Sequence, residues 1–334
     1  MAKLRVGING FGRIGRVLFR EGFEKFDVVG INSLDSNEGV SHLLKYDSSH
    51  GIFNQDVGFD ENHMIVAGKK IPVSKFKNPA DIPWKAWGVD LVLECTGAFK
   101  GKDEFMAHIK AGAKRVLVSA PADGVDRTLV YGINHKDYNP ETDHVMSNAS
   151  CTTNCLTPLV KVLHDTFGIE NGMMTTIHSY TNDQKILDAP HKDLRRARSA
   201  AVSMIPTTTG AAKAVGLVMP ELKGKIDGTS IRVPTPNVSL VDFTFNAKKD
   251  LTVQSINEAL KTAANGPFKG ILAVEKAPLV SIDFNGNKHS SIIDLRSTMV
   301  VGSRLGKVMS WYDNETGFSC RMVDMALYMA EKGL

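Results

Sequence analysis

Leu4-Arg5-Val6-Gly7-Ile8-Asn9-Gly10-Phe11-Gly12-Arg13-Ile14-Gly15 decides the fold of the first half of this chain. Residues 3–9 form a short β-rich run, and a helical pattern follows the glycines through Phe26. The glycines therefore sit at a strand-to-helix junction with G-x-G-x-x-G spacing. The first permits a tight turn, the second lets backbone approach a pyrophosphate, and the third lets helix and strand pack closely. The spacing alone is weak evidence; the strand before it and the helix after it make it a dinucleotide-binding signature. Val28-Val29-Gly30-Ile31-Asn32 supplies the next strand at the expected distance.

The end of that second strand bears on which dinucleotide binds. A carboxylate there would hold the adenosine ribose hydroxyls and repel a 2′-phosphate. The chain reads Asn32-Ser33-Leu34-Asp35, so an uncharged hydroxyl stands at the expected position, with Asp35 two residues on as a substitute.

Further along, residues 37–46 read as a helix and 53–73 as a hairpin-like region. Residues 89–97 and 115–119 read as buried parallel strands flanking a helix at 102–111. Their apolar runs suit a sheet covered on both faces. Thr96-Gly97 and Ser119-Ala120 would then line a crevice at the carboxyl edge, with Cys95 in the core. Residues 129–134 and 144–146 complete this half, and the pattern is α/β.

Ser147-Asn148-Ala149-Ser150-Cys151-Thr152-Thr153-Asn154-Cys155 opens the second half. It follows the end of a short strand (Val145-Met146) and precedes a segment that reads as a helix from Leu156 to Phe167. A cysteine at such a junction faces unpaired backbone N–H groups and the positive end of the macrodipole. That setting lowers a thiol pKa and favours the nucleophilic thiolate. Small polar neighbours on both sides argue against Cys151 as ordinary apolar packing. Cys151 is the predicted nucleophile.

Residues 173–180 read as a strand that delivers His178, a candidate base for Cys151. Residues 182–206 form a long basic loop with Lys185, Lys192, Arg195, Arg196 and Arg198. No aromatic residue interleaves it, which argues against single-stranded nucleic acid. Thr207-Thr208-Thr209-Gly210 opens a helix at 211–218, and hydroxyls at a helix start make an anion site. Arg232 begins a turn that leads to an alternating strand at 238–245. A helix at 253–264, a strand at 307–311 and a terminal helix at about 315–332 follow. Met322, Val323, Met325, Ala326 and Met329 recur at helical spacing and read as core.

The chain has 334 residues, 43% hydrophobic and 23% charged, with a formal charge of +4. That length favours two domains. The charge is too mild to point to nucleic acid. No apolar run reaches membrane-spanning length and no signal-peptide layout precedes the first strand. Four cysteines without a secretory signal suit a reducing, cytoplasmic setting. Cys151 and Cys155 lack a second Cys/His pair at ligand spacing, so no metal site is expected.

Together these residues resemble phosphorylating glyceraldehyde-3-phosphate dehydrogenases over essentially the whole chain. The most specific stretches are Ala149-Ser150-Cys151-Thr152-Thr153-Asn154-Cys155, His178-Ser179-Tyr180-Thr181, Thr209-Gly210-Ala211-Ala212-Lys213 and Trp311-Tyr312-Asp313-Asn314-Glu315. The resemblance implies a Rossmann dinucleotide-binding domain, residues 1–150 plus 315–334, and an α+β catalytic domain with a mixed or antiparallel sheet, residues 151–314. It implies oxidation of D-glyceraldehyde 3-phosphate with inorganic phosphate to 1,3-bisphosphoglycerate, through a thiohemiacetal and a thioester on Cys151. His178 would lower the thiol pKa and move the protons, and the Cys151 N–H would be an oxyanion donor. Cofactor residues would be Gly10, Gly12, Arg13, Ile14 and Gly15 at the pyrophosphate, Ser33, Lys77 and Ser119 nearby, and Asn314 on the nicotinamide carboxamide. Two phosphate pockets would draw on Ser150, Thr152, Thr181, Arg196, Thr209, Gly210 and Arg232. Members are homotetramers. Ser33 replaces the family's usual Asp, and Ala189-Pro190 stands where NAD-type members carry Leu-Pro, so the expected cofactor use is NAD with NADP also accepted. Erythrose-4-phosphate dehydrogenase is the nearest rival, a binding role through the dinucleotide groove another, and a redox role of Cys151 with Cys155 a third.

Overall fold

The computed structural model describes residues 3–334. The described residues form two compact units: residues 3–131, 135–150 and 319–334, and residues 132–134 and 151–318. The second unit therefore keeps residues 315–318, which the sequence reading gave to the first. Asp313 explains this, because its carboxylate accepts the N–H groups of Glu315 (2.9 Å) and Thr316 (2.8 Å) and ties the start of the last helix to its own unit. Residues 132–134 also belong there; a side chain at Gly132 would meet Ile271.

In the first unit, strands β1 (Arg5–Asn9) and β2 (Asp27–Asn32) flank helix α1 (Arg13–Gly22) in sequence, followed by α2 (Asn37–Lys45). A small hairpin, β3 (Tyr46–Asp47) and β4 (Gly51–Ile52), precedes a meander of β5 (Val57–Phe59), β6 (His63–Val66) and β7 (Lys69–Ser74). Then come α3 (Trp84–Trp87), β8 (Leu91–Glu94), α4 (Lys102–Lys110), β9 (Arg115–Val118), β10 (Arg127–Thr128) and β11 (Val145–Ser147). The nine-stranded sheet has the order β10-β11-β9-β8-β1-β2-β7-β6-β5. From β10 to β7 its pairs are parallel, and β6 and β5 add antiparallel. β1 lies between β2 and β8, so the chain changes direction across the sheet there, and the crevice opens at its carboxyl end. Buried Val92, Val116, Val118 and Val145 pack with Trp84 and Phe105. Met322, Val323, Met325, Ala326 and Met329 are fully buried, as their spacing predicts. Residues 129–134 carry no strand, and Cys95 is half-buried at the sheet edge rather than in the core.

The second unit begins with α5 (Cys151–Phe167), five residues earlier than the apolar pattern suggests. Pro158 inside it cannot donate to the Asn154 carbonyl, a tolerated local break. Strands β12 (Ile169–Ser179) and β13 (Ile205–Thr208) precede α6 (Ala211–Val218). Next are β14 (Ile226–Val233), β15 (Ser239–Ala247), α7 (Val253–Asn265), β16 (Leu272–Glu275), β17 (Ser291–Val301), β18 (Leu305–Tyr312) and α8 (Thr316–Glu331). The seven-stranded mixed sheet runs β13-β14-β12-β15-β18-β17-β16. Its register pairs His178 with Arg232 on parallel β12 and β14, and Ser239 with Tyr312 on antiparallel β15 and β18. Four strands thus bring polar residues to one edge.

Candidate active site

On the first unit, the junction between β1 and α1 has the form a pyrophosphate needs. Gly10 adopts φ +89°, and a Cβ on it would press on the Thr96 backbone. A Cβ on Gly15 would overlap the Gly10 carbonyl oxygen, so this glycine permits the close approach of helix to strand. At Gly12 a Cβ would meet nothing within 4 Å, which leaves exposed space before the N–H groups that open α1. Ile14 is half-buried in that first turn. The Arg13 guanidinium grips Asp47 at 2.5 and 3.1 Å, so Arg13 offers the junction its backbone N–H rather than its charge.

The end of β2 is tied down from behind. Asn32 donates to Asn9 (2.8 Å) and accepts from Ser74 (2.8 Å) and the Phe76 N–H (2.9 Å). Ser33 is half-buried, and its hydroxyl makes no hydrogen bond among the described residues. The Asp35 carboxylate accepts the Ser36 N–H (2.8 Å) and lies against Gly39 in the first turn of α2. Lys77 is exposed beyond β7 and Ser119 half-buried beyond β9.

On the second unit, Cys151 is the first residue of α5, and its Sγ lies 3.5 Å from His178 Nε2. His178 Nδ1 is 2.6 Å from the Ser179 carbonyl, which only accepts, so Nδ1 carries the proton and Nε2 offers its lone pair to the thiol. Arg232 Nη1 donates to the same carbonyl at 3.0 Å and sits 3.0 Å from Nδ1. Burial, then the charges of Arg232 and Arg196, hold His178 down at about 3, and the imidazole is neutral. Burial also pushes the Cys151 thiol up, against the pull of Arg232, the Thr152 hydroxyl and the N–H groups of Thr152 and Cys151. This corrects the sequence expectation of a depressed thiol pKa: the helix terminus is present, but burial of the sulfur outweighs it. The resting pair is thiol and neutral base, and ionisation is a proton transfer across 3.5 Å.

Two arginines stand beside this pair. Arg232 Nε is buried and donates to nothing among the described residues. Thr181 lies at the same end of β12, its N–H and hydroxyl both on Gln184 Oε1 (2.9 and 3.3 Å). Arg196 donates to the Thr207 hydroxyl (2.9 Å), the Thr208 carbonyl (3.2 Å) and Asp183 (2.5 Å). Thr209 accepts the Ala211 N–H (3.2 Å), and Gly210 is exposed at the start of α6. Of the predicted anion residues, Arg232 thus lies on His178 and Ser179, Thr181 on Gln184, and Arg196 on Thr207 and Thr208, which precede Thr209 and Gly210 in the chain. Ser150, half-buried, ends the first unit one residue before Cys151.

Sequence reasoning missed several neighbours. Asp183 and Gln184 hold Arg196 and Thr181, and an acidic residue inside a basic loop was the available signal. Tyr312, fully buried, bridges the Thr152 and Thr176 hydroxyls at 2.9 Å each and faces the His178 ring edge-on. Asn314, buried, accepts from Ser239 at 2.8 Å. Among the described residues no cluster of His, Cys, Asp and Glu could hold a metal ion, and no helix is long and apolar enough to cross a membrane.

A doubly wound dinucleotide-binding fold on a chain that also carries a Cys/His pair beside Arg232 is the arrangement of an oxidoreductase. Residues 4–102 match the family model for the glyceraldehyde 3-phosphate dehydrogenase NAD binding domain, and residues 150–314 that for its C-terminal domain. The chain is 56% identical over 333 residues to glyceraldehyde-3-phosphate dehydrogenase from Geobacillus stearothermophilus, covering 99% of each. It is 55% identical over 332 residues to glyceraldehyde-3-phosphate dehydrogenase 1 of Bacillus cereus, again 99% of each, and 56% identical over 330 residues to the Cereibacter sphaeroides enzyme, 98% of each. The chain belongs to the glyceraldehyde-3-phosphate dehydrogenase family.

Proposed function

We propose that this protein oxidises and phosphorylates D-glyceraldehyde 3-phosphate to 1,3-bisphosphoglycerate, with Cys151 as nucleophile and His178 as base. The observation that carries this reading is Cys151 Sγ 3.5 Å from His178 Nε2, with Arg232 and Arg196 beside them. The thiol adds to the aldehyde carbon as its proton passes to Nε2, and Nε2 returns that proton to the new oxyanion, with the Cys151 N–H as its donor, to give the thiohemiacetal hydroxyl. Bound NAD would supply the acceptor for the hydride of the thiohemiacetal carbon. His178 removes the hydroxyl proton in that step, which leaves a thioester on Cys151. Inorganic phosphate then attacks the thioester carbon, the acyl phosphate leaves, and the Cys151 thiolate recovers its proton.

Arg232 and Thr181 bind the substrate phosphate, and Arg196, Thr209 and Gly210 the attacking phosphate, with Ser150 and Thr152 contributing from the start of α5. An anion against either guanidinium removes the charge that depresses His178, so the base strengthens as the site fills.

NAD fits the first unit: the space at Gly12 is open, and Gly10, Gly12, Arg13, Ile14 and Gly15 supply backbone to the pyrophosphate. Lys77 and Ser119 flank the adenine and nicotinamide ends, and Asn314 takes the carboxamide. NADP is accepted as well, because the Ser33 hydroxyl is uncommitted and uncharged while Asp35 is turned onto the Ser36 N–H at the start of α2. The chain works as a homotetramer in the cytoplasm, and exposed Leu187, Leu194, Val202, Met204 and Met299 are faces that other copies would cover.

Initial rates with D-glyceraldehyde 3-phosphate and phosphate, using NAD and then NADP, test the reading. Turnover with both is expected, and Cys151→Ser should abolish it with the circular dichroism spectrum unchanged. Faster oxidation of erythrose 4-phosphate would overturn the substrate assignment, and turnover with NAD alone would overturn the role given to Ser33.

A further inference from the structure

Asn32, Asn9, Glu94 and His108 form a buried polar line behind the glycine junction of the first unit, and Glu94, the last residue of β8, is 2% exposed at its centre. The direction of each hydrogen bond along it is fixed from the two ends. At one end the Phe76 backbone grips the Asn32 amide twice, its N–H donating to Oδ1 and its carbonyl accepting from Nδ2, both at 2.9 Å. Nδ2 also donates to Asn9 Oδ1 at 2.8 Å. That leaves Asn9 Nδ2 as the donor to Glu94 Oε2 at 2.5 Å. At the other end stands Trp84, fully buried against Gly7 of β1, whose indole N–H can only donate. It donates to His108 Nδ1 at 2.9 Å, so His108 carries its proton on Nε2 and gives it to Glu94 Oε2 at 3.1 Å.

The loop that leaves β8 closes the third side. The Thr96 N–H (2.8 Å) and the Thr96 hydroxyl both donate to Glu94 Oε1. Having given up its one proton, that hydroxyl accepts the Ala98 N–H at 3.1 Å. Donors therefore face both carboxyl oxygens, and neither oxygen carries a proton. The loop held in this way borders the glycine junction: a Cβ on Gly10 would press on the Thr96 nitrogen, and Thr96, Gly97 and Ala98 are exposed.

We propose that Glu94 is a positioning residue for the dinucleotide: as the common acceptor of Asn9, His108 and Thr96, it holds the 96–98 loop against the Gly10 turn and sets the wall of the crevice beside the pyrophosphate. The proposal rests on the NAD-binding reading of the first unit and adds the residue that shapes it. Only an acceptor at both oxygens serves. A glutamine of the same shape would turn its amide N–H groups either on Asn9 and His108 or on Thr96, and would meet donors either way. A loop no longer held in place must be ordered by the ligand, and affinity falls by that cost.

Calorimetric titration of the full-length protein with NAD and with ADP-ribose tests this. ADP-ribose carries the pyrophosphate and lacks the nicotinamide. Glu94→Gln should weaken both to the same extent, roughly tenfold. Thr96→Val, which cuts the hydroxyl link between loop and carboxylate, should also weaken both alike. In that background Glu94→Gln should add little to the loss of affinity while still lowering Tm. Nitrogen-15 NMR of the unaltered protein should find His108 protonated on Nε2. A lowered Tm with an unchanged Kd in Glu94→Gln would reduce Glu94 to a packing role and overturn the proposal. Weakening of NAD without weakening of ADP-ribose would also overturn it, and so would a His108 proton on Nδ1. If Glu94→Gln does not fold, Thr96→Val and the His108 tautomer decide. Failure of ADP-ribose to bind the unaltered protein would instead overturn the dinucleotide reading of the junction, and the proposal with it.

Discussion

The two units build their sites by opposite means. The first works by leaving side chains out: Gly10, Gly12 and Gly15 provide a turn, a space and a close packing contact, and the ligand would meet mostly backbone. The second works by crowding side chains in, with Cys151, His178, Arg232, Ser239 and Tyr312 delivered by a helix start and four strands. A site made of absences depends on local spacing and survives in the linear sequence. A site made of converging side chains depends on strand register, which no short motif records.

The contrast is sharpest at the chemistry itself. His178→Asn should lower kcat roughly 10²- to 10⁴-fold with NAD affinity retained, because the base and the cofactor junction are separate constructions. It should also move alkylation of Cys151 by iodoacetamide to higher pH, since the nearest proton acceptor is gone. Unchanged alkylation would mean that the 3.5 Å approach does not govern the thiol.

The glycines allow the contrast to be broken within one motif. Gly15→Ala drives a methyl group into the Gly10 carbonyl and should cost about 1–3 kcal/mol, seen as a lower Tm. Gly12→Ala meets nothing, so stability should stay within roughly 0.5 kcal/mol while the KM for NAD rises. Equal Tm losses from both would show that the junction is a packing feature only.

Arg232 offers an electrostatic test of the second unit. Replacing it by Gln removes a positive neighbour of the imidazole and so favours the protonated form. His178 should rise from about 3 toward the usual histidine range, stopping short of it because burial remains. Histidine NMR titration measures this, and no upward movement would separate the base from the arginines.

The smallest effect belongs to Asp47, in the first unit. Burial alone would push its carboxyl up, but Arg13 and the N–H groups of Ser49 and His50 overcome that and hold it at about 2. A folded-state pKa below the unfolded one stabilises above the unfolded pKa, and the gain disappears as pH falls through the folded value. Asp47→Asn should therefore cost on the order of 1–2 kcal/mol at pH 7. The difference from the unaltered protein should vanish between about pH 4 and pH 2 in denaturant unfolding.

How much could be read beforehand follows the same division. The dinucleotide junction was legible because its reason is local: three glycines, a strand and a helix. Cys151 was legible because polar neighbours at a helix start have no packing purpose. His178 was legible at a strand end, and the structure brings its Nε2 to 3.5 Å from the Cys151 sulfur. β14 was not, because Asp227 and Gly228 weaken its intrinsic preference and pairing with β12 and β13 imposes the extended form. The neighbouring roles of Arg232, Ser239 and Tyr312 follow from register across strands far apart in the chain. The direction of the Cys151 shift was misread because the helix terminus is written in sequence and burial is not.

Cys155 sits one turn along α5 from Cys151, fully buried, its thiol on the hydroxyl and carbonyl of Ser310 and pushed up to about 12 by burial. A buried thiol so reluctant to ionise is a poor nucleophile toward an oxidised neighbour at neutral pH. Peroxide should therefore leave Cys151 as a sulfenic acid that takes a small thiol from solution, and mass spectrometry should find that mixed disulfide rather than a Cys151–Cys155 bridge. Survival of this protein under oxidative stress is then set by the thiol pool around it, and not by a repair partner within its own fold.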